Sequence, residues 1–396
     1  MKQCFGIVAE FNPFHNGHAA LCAQARAAGA THIVAVMSGN FVQRGSLAVT
    51  DKYIRTRAAL LGGCDLIIEL PLPYAVATAS RFAAGAVGLL RATGCVDSLC
   101  FGSESDNLAD LQAAAQAVDY PAVRTAIKGH MGTGITFAKA RQLAVADIFG
   151  EQVAHFLTTP NNILAVEYLR QSAAQGWHPN MVPIRRVGTS HDSTTPKGPS
   201  ASASYLRQHP EALAAYVPPQ ALAVYQEARC KGLFPAQPER LDTAVIAHLR
   251  RLSPADLSQL PDISEGIENR LYKALSHCAT LAQLEQEVKT KRYPLARVRR
   301  LILHAFLGVT AQDSQAPPPY LHVLGFNQKG AELLAEMKRK KVALPVHTSL
   351  AHLEKLNSNC QRFATLEATA IGIYGLALPN PPSRGFAYDA SAVFLK

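Results

Sequence analysis

Residues 7–21 read IVAEFNPFHNGHAAL, and the reading of this stretch decides what the rest of the chain is. An apolar run ends at Glu10, a loop carries Phe11, Asn12, Pro13 and Phe14, and two histidines, His15 and His18, follow with Asn16 and Gly17 between them. Three assignments compete: a metal site, a phosphate site, or two ordinary polar residues at a helix start. Helical zinc pairs use HExxH, with the histidines four apart and a glutamate between them. Here the spacing is three and Asn16 stands where the acid would be. Glu10 and His32 have no spacing that would make them the further ligands zinc requires. A parallel strand that runs into a glycine-containing helix start instead aims backbone N–H groups at an anion. Residues three apart share a helix face, so both imidazoles point the same way, and Gly17 allows a ligand or backbone to come close. Imidazole N–H donors suit the charge that builds on phosphate oxygens when pyrophosphate departs. With Asn12 as a polar group at the strand tip, the stretch reads as a nucleotide α-phosphate site.

Working outward, the first two hundred residues alternate between short apolar runs and helical segments. CFGIVA, THIVAVMSG, CDLIIELP and SLCFGSE are strand-like; between them lie a helix from about His18 to Ala28, a helix stopped by Gly62 and Gly63, and a helix across SRFAAGAVGLLRATG. That alternation predicts an α/β fold with a doubly wound, Rossmann-like parallel sheet. Ligands in such sheets collect at the carboxyl ends of the strands, where Asn12, Ser38, Glu69 and Gly102 should lie. A polar Ser/Thr/Pro/Gly segment at 191–204 reads as a loop, and from about residue 215 helical patterns dominate. The expected organisation is a nucleotide-activating domain over 1–210 and a mainly helical, basic region over 211–396. Within the latter, HVLGFNQKGAELLAEMKRKKVALPVH reads as strand or loop, helix, strand.

The chain has 396 residues, enough for two or three domains, and 48% hydrophobic against 17% charged residues fits a folded enzyme. Its net charge of +10 favours a polyanionic partner, nucleic acid first. The basic stretch KTKRYPLARVRRLILH places Lys289, Lys291, Arg292, Arg297, Arg299 and Arg300 close together, and Lys338 to Lys341 form a second patch. Arg297 and Arg300 share a face if a helix begins near Pro294, with Val298, Leu301 and Ile302 turned to a core. The eight cysteines form no CxxC pair and mostly sit in apolar surroundings, which points to a cytosolic protein without a disulfide framework. The amino terminus is a poor signal peptide, and no apolar run is long enough to span a membrane.

HNGH resembles the HxGH signature of the nucleotidyltransferase superfamily, and SASASYLR (200–207) is similar to its Ser/Thr loop ending in arginine. VAEFNPFHNGH, MSGNFVQRG, CDLIIELP, FGSE, PNNIL, IRRVGTSHD and TKRYPLARVRRLILH, in this order and over nearly the whole chain, resemble the tRNA(Met) cytidine acetate ligase family. The resemblance implies an ATP-dependent, two-step reaction. Acetate attacks the α-phosphate to give acetyl-adenylate and pyrophosphate, and the amine of the wobble cytidine of elongator tRNA(Met) then takes the acetyl group and releases AMP. Carried over by motif, the ATP site comprises Val8, Ala9, Glu10, Phe11, Asn12, Pro13, Phe14, His15, Asn16, Gly17, His18, Ala19, Ala20 and Leu21, then Gly102, Asn162 (favoured over Asn161), Arg186, Ser202, Ser204 and Arg207. His15 and His18 are the expected catalytic pair, and Mg²⁺ is expected to arrive with ATP. Lys291, Arg292, Arg297 and Arg300 are the expected tRNA contacts, and VQRG is expected at the rim of the site. Two departures fall in loop or helix detail: Ala165 follows PNNIL where a glycine is common, and Tyr205 and Leu206 precede Arg207. The competing readings are a nucleotidyltransferase with a small-molecule acceptor and a non-catalytic RNA-binding protein on the same scaffold.

Overall fold

A computed structural model describes residues 2–186, 201–383 and 386–396. The 191–200 part of the polar loop, including Ser200, and Val187 and Gly188 after Arg186 lie outside the described residues. The strands are β1 (Cys4–Ala9), β2 (His32–Ser38), β3 (Phe41–Val42), β4 (Ser46–Leu47), β5 (Leu66–Leu70), β6 (Ser98–Ser103), β7 (Asn180–Arg185), β8 (Leu321–Asn327), β9 (Val346–His347) and β10 (Val393–Leu395). Five of them form a parallel sheet in the order β5-β2-β1-β6-β7. The strand order reverses beside β1, so the crevice between the carboxyl ends of β1 and β6 is the switch point at which such sheets bind ligands.

Alternation along each strand explains the double winding. Phe5, Ile7, Ile33, Ala35, Met37 and Ile67 join one buried cluster, with the faces of helices α1 (Asn16–Ala27) and α2 (Lys52–Leu61). Cys4, Val34, Val36, Leu66, Ile68 and Leu99 join the other, with the helices Ala79–Ala92, Leu108–Asp119 and Pro160–Ala174. Residues one apart in a strand point to opposite faces, so each run must be apolar throughout, as it is.

The region after residue 211 is mostly helical and has a core of its own between Leu241 and Ala305. It does not end there, however: β8 pairs antiparallel with β5, and β9 and β10 pair with β8, so this region also extends the sheet. The strand–helix–strand reading of 322–347 therefore holds, with the helix Gln328–Lys340 between β8 and β9. That helix crosses beneath the amino ends of the parallel strands, where Lys329 reaches Thr31, Lys2 pairs with Glu336 and Lys340 donates to Gly94. The Lys338–Lys341 patch is thus at the opposite end of the sheet from the switch point. A fourth cluster ties the halves together: Phe41, Leu72 and Val76 pack with Leu303 and Leu307 of the helix Leu295–Leu307 and with Tyr374.

Candidate active site

The histidine pair is built by the start of α1. His15 is the N-cap, and its Nδ1 accepts from the backbone N–H of Gly17 at 3.0 Å. His18 sits three residues on and its Nδ1 accepts from His15 N–H at 3.3 Å, closing a reciprocal cap in which imidazoles replace the usual hydroxyl and carboxylate. The two rings stack with centroids 3.9 Å apart. Because each Nδ1 is an acceptor, each neutral ring carries its proton on Nε2 and is a donor there. Gly17 has a specific reason to be glycine: a Cβ would lie 2.8 Å from Cε1 of His15, so any side chain would push that ring out of its cap. Phe11, in the left-handed region at φ 46°, meets His18 edge-on at 5.0 Å.

Above the switch point is a cavity lined by the β1 end and α1 start (Val8, Ala9, Glu10, Phe11, Asn12, His15, Gly17, His18, Ala20, Leu21). Gly102 from β6, Arg185 and Arg186 at the end of β7, and Arg207 complete its polar wall. Of the expected ATP residues, Pro13, Phe14, Asn16 and Ala19 do not line it. Phe14 is buried; its N–H donates to Tyr225 Oη at 2.8 Å, and its ring fills the space that Gly62 leaves open. Asn12 is only 2% exposed; its Oδ1 accepts from Val49 N–H at 2.7 Å and its carbonyl accepts from Arg207 at 2.9 Å. Gly102 lets the Arg186 side chain lie across the strand, since a Cβ there would meet Arg186 Cγ at 3.3 Å. Burial pulls the Arg186 pKa down against the pull of the Glu104 carboxylate.

The asparagine doublet resolves the other way from the sequence reading. Asn161 lines the cavity and its Oδ1 is 3.5 Å from Arg186 Nη1. Asn162 points into the protein, where its Oδ1 accepts from Ser103 Oγ (2.6 Å), Glu104 N–H (3.0 Å) and Ser105 N–H (3.3 Å). Asn162 therefore shapes the loop after β6, and Asn161 replaces it as the cavity residue. Ser202 and Ser204 likewise act behind the wall. Ser202 caps the helix Ala203–Gln208, and Ser204 Oγ accepts from Arg207 Nη2 at 3.0 Å.

Two lining residues, Phe82 and Tyr168, carried no motif and in the sequence are ordinary core positions; with Phe101, Leu164 and Ile184, the apolar members of FGSE, PNNIL and IRRVGTSHD, they make the apolar wall that a nucleobase needs. Gln43 and Arg44, expected at the rim, do line the cavity from the β3–β4 hairpin, and Gln43 N–H donates to Glu10 at 3.0 Å. Arg55 was also missed. It is fully buried, and its guanidinium donates to the carbonyls of Thr50, Glu10, Ser38 and Gly39.

Glu69, expected with the ligand-facing groups, belongs to a buried cluster instead. Its carboxylate takes Lys52 Nζ at 2.5 Å and His322 Nδ1 at 2.6 Å. Burial pushes it up, but the Lys52 ammonium and His322 together outweigh that and hold it down at about 2. Glu367, whose Oε1 accepts from Leu72 N–H at 2.5 Å, is pushed up to about 8 by burial and then by the Glu69 charge. Folded protein thus keeps a proton on Glu367 that unfolded protein loses near the ordinary glutamate range. The resulting stabilisation is complete at low pH and is lost as pH rises through about 8. Melting temperatures should fall between pH 6 and 9, and Glu367→Gln should flatten that fall; a slope unchanged in the variant would rule the group out.

The basic stretch is also used differently from expectation. Arg297 donates to Asp262 O at 3.0 Å and Ser264 Oγ at 2.6 Å, and Arg300, mostly buried, has its Nε 3.9 Å from Asp262. Arg299 forms a two-pronged pair with Glu285 at 2.9 and 2.8 Å. These guanidiniums brace neighbouring loops, so Arg297 and Arg300, expected as phosphate contacts, are engaged with protein groups in this structure. Lys289 and Lys291 stay exposed.

Among the described residues no group of three or more His, Cys, Asp or Glu is arranged to hold a metal ion, and no helix is long and apolar enough to cross a membrane. The chain matches the HIGH Nucleotidyl Transferase family over residues 1–387. It is 39% identical over 394 residues to the tRNA(Met) cytidine acetate ligase of Thermoanaerobacter sp. (strain X514), covering 97% of both chains. It is 37% identical over 412 residues to that of Syntrophomonas wolfei, again covering 97% of both. Among solved structures it is similar to apo Thermotoga maritima TmcAL (TM-score 0.93, 30% identity) and to the same protein bound with alpha-thio ATP (0.91, 29%), each covering 99% of both chains.

Proposed function

The chain belongs to the HIGH nucleotidyl transferase family and, within it, to the tRNA(Met) cytidine acetate ligases, and from that membership we propose how its residues divide the work. It is an ATP-dependent enzyme that acetylates cytidine in tRNA. The observation that carries the assignment of roles is the stacked imidazole pair, each Nδ1 tied to backbone, at the helix start above the switch point. ATP lies across the β1–β6 crevice, its base against Phe82, Phe101 and Tyr168 and its α-phosphate over α1. An acetate oxygen forms a bond to that phosphorus and pyrophosphate leaves. His15 and His18 donate from Nε2 to the non-bridging oxygens as charge accumulates, and Arg186 and Arg207 hold the phosphates. A Mg²⁺ ion would be held mainly by the ATP phosphates and would neutralise their charge, since Glu10 is the one carboxylate among the described residues lining the cavity. The N4 amine of the wobble cytidine then bonds to the acetyl carbon and AMP departs.

Residues 1–210 are assigned to activation and 211–396 to tRNA binding, with the strands after residue 320 built into the activating sheet. Exposed Lys289 and Lys291, with Arg292, supply phosphate contacts that set affinity and its salt dependence. A cytosolic setting is supported by eight free cysteines. The test is an incubation of protein, ATP and labelled acetate with and without unmodified tRNA(Met). Acetate-dependent pyrophosphate release and label in RNA are expected; ATP turnover with unlabelled RNA would overturn the assignment.

A further inference from the structure

The helices Pro121–Met131 and Phe137–Phe149 pack together as a hairpin that none of the roles above uses. Over residues 121–149 the sequence carries Arg124, Lys128, Lys139 and Arg141 against a single acid, Asp147, and that acid pairs with His130 at 2.6 Å. Phe137, the first residue of the second helix, is 55% exposed, more than any other large apolar side chain among the described residues. Thr136 already caps that helix by accepting from Lys139 N–H, so the helix start asks for no aromatic ring. A single exposed apolar residue is common. What sets Phe137 apart is its surroundings.

The Arg141 guanidinium lies over the Phe137 ring, 6.0 Å from its centroid, and is held there by the buried Glu167. Glu167 belongs to the helix Pro160–Ala174, whose Leu164 and Tyr168 line the ATP cavity, so the ring stands one helix away from that wall. On its other side the hairpin meets the basic stretch. A Cβ at Gly134, where φ is 82°, would lie 3.7 Å from Arg292 Nη2, which brings two segments remote in sequence together. Lys289 and Lys291 are exposed, and the Arg292 side chain is 36% exposed. The acid nearest it, Glu265, is 3.9 Å from Arg292 Nε, too far for a hydrogen bond, and also faces Arg297 at 3.5 Å.

These groups define the partner. An open aromatic ring backed by a guanidinium and flanked by lysines and arginine, with the nearby acids already engaged, matches an unpaired base on a phosphate backbone. Paired RNA offers no free base face, so the match is to a single-stranded loop. Resting on the ligase reading above, we propose that Phe137 is a stacking platform for an unpaired base of the tRNA loop that carries the target cytidine, with Lys291 and Arg292 on the phosphates beside that base. A neighbour held against Phe137 is no longer stacked on the cytidine, which frees the cytidine to turn into the cavity.

The test measures binding of the full-length enzyme to tRNA(Met) transcripts, so it does not depend on turnover. Phe137→Ala should weaken Kd about tenfold, the loss of one stacking ring, with the melting temperature and tRNA-free pyrophosphate exchange at wild-type values. Phe137→Trp should bind at least as well as wild type. Phe137→Leu keeps the bulk without the flat face and should bind like the alanine variant. Salt dependence should be unchanged in Phe137→Ala, because stacking releases no counterion, and should flatten by about one phosphate contact in Arg292→Ala. Transcripts with one loop base removed locate the partner: at one position the removal should cost wild type the same factor and cost Phe137→Ala nothing further. Wild-type affinity in Phe137→Ala or Phe137→Leu, or the absence of any such coupled position, would overturn the platform. Wild-type affinity together with a changed sedimentation coefficient would make this face a contact between copies of the chain instead. Wild-type enzyme that binds through Phe137 yet acetylates no transcript would overturn the ligase reading and leave the RNA surface standing.

Discussion

His18→Ala is expected to reduce acetate-dependent ATP–pyrophosphate exchange by about 10²–10³-fold, the loss seen when one preorganised donor to a transition-state oxyanion is removed. The reason lies in how the ring is held. Its Nδ1 accepts from His15 N–H and its face meets Phe11, so the Nε2 donor is positioned before substrate arrives. The ring is partly exposed and packs mainly on other site residues, so the melting temperature should change little. Affinity for tRNA should be kept, because the RNA contacts proposed above lie elsewhere. His15→Ala should behave differently: that ring is also the N-cap of α1, and its loss adds about 1 kcal/mol of destabilisation to the catalytic defect. Exchange at the wild-type rate in folded His18→Ala would remove the imidazole from the adenylation step.

Where the sequence succeeded and where it failed both have physical causes. Strands β1, β2, β5 and β6 were legible because a parallel strand buried on both faces must be apolar at every position, and glycine and proline mark where each run ends. The HNGH stretch was legible because glycine and a polar cap at a strand-to-helix turn leave few alternatives. Asn161 and Asn162 were not separable: adjacent helix positions differ by about 100° in direction, and only the placement of the helix Pro160–Ala174 says which one meets the cavity. The arginines of the helix Leu295–Leu307 looked like an RNA surface because their partners Asp262, Glu265 and Glu285 are remote in sequence. Phe82 and Tyr168 were hidden among core residues of amphipathic helices. The segment of β8 read as strand or loop, and nothing local says that it pairs with β5, some 250 residues earlier in the chain.

Arg55 is the residue whose loss should cost the protein most. In the sequence it is one of three basic residues in KYIRTR; in the fold it is 0% exposed. Its Nε donates to Thr50 O at 3.1 Å, Nη1 to Glu10 O at 2.6 Å and Ser38 O at 3.1 Å, and Nη2 to Gly39 O. One side chain thereby ties the carboxyl ends of β1 and β2 to the start of α2; burial pulls its pKa down, and the four carbonyls it bonds are what a buried guanidinium needs. Arg55→Met should destabilise folding by about 3–5 kcal/mol, because it strands several buried carbonyls at once. Arg55→Lys should recover little of this. An ammonium is a compact charge that cannot span the fork's four acceptors. Denaturant titration of the three proteins measures both effects. Where the lysine variant folds, its KM for ATP should still rise, since the Glu10 carbonyl sets the course of the chain into Phe11, Asn12 and the histidine cap. Near-complete recovery of stability and KM by lysine would mean that charge alone suffices, and would refute the view that the guanidinium's geometry holds the site's backbone.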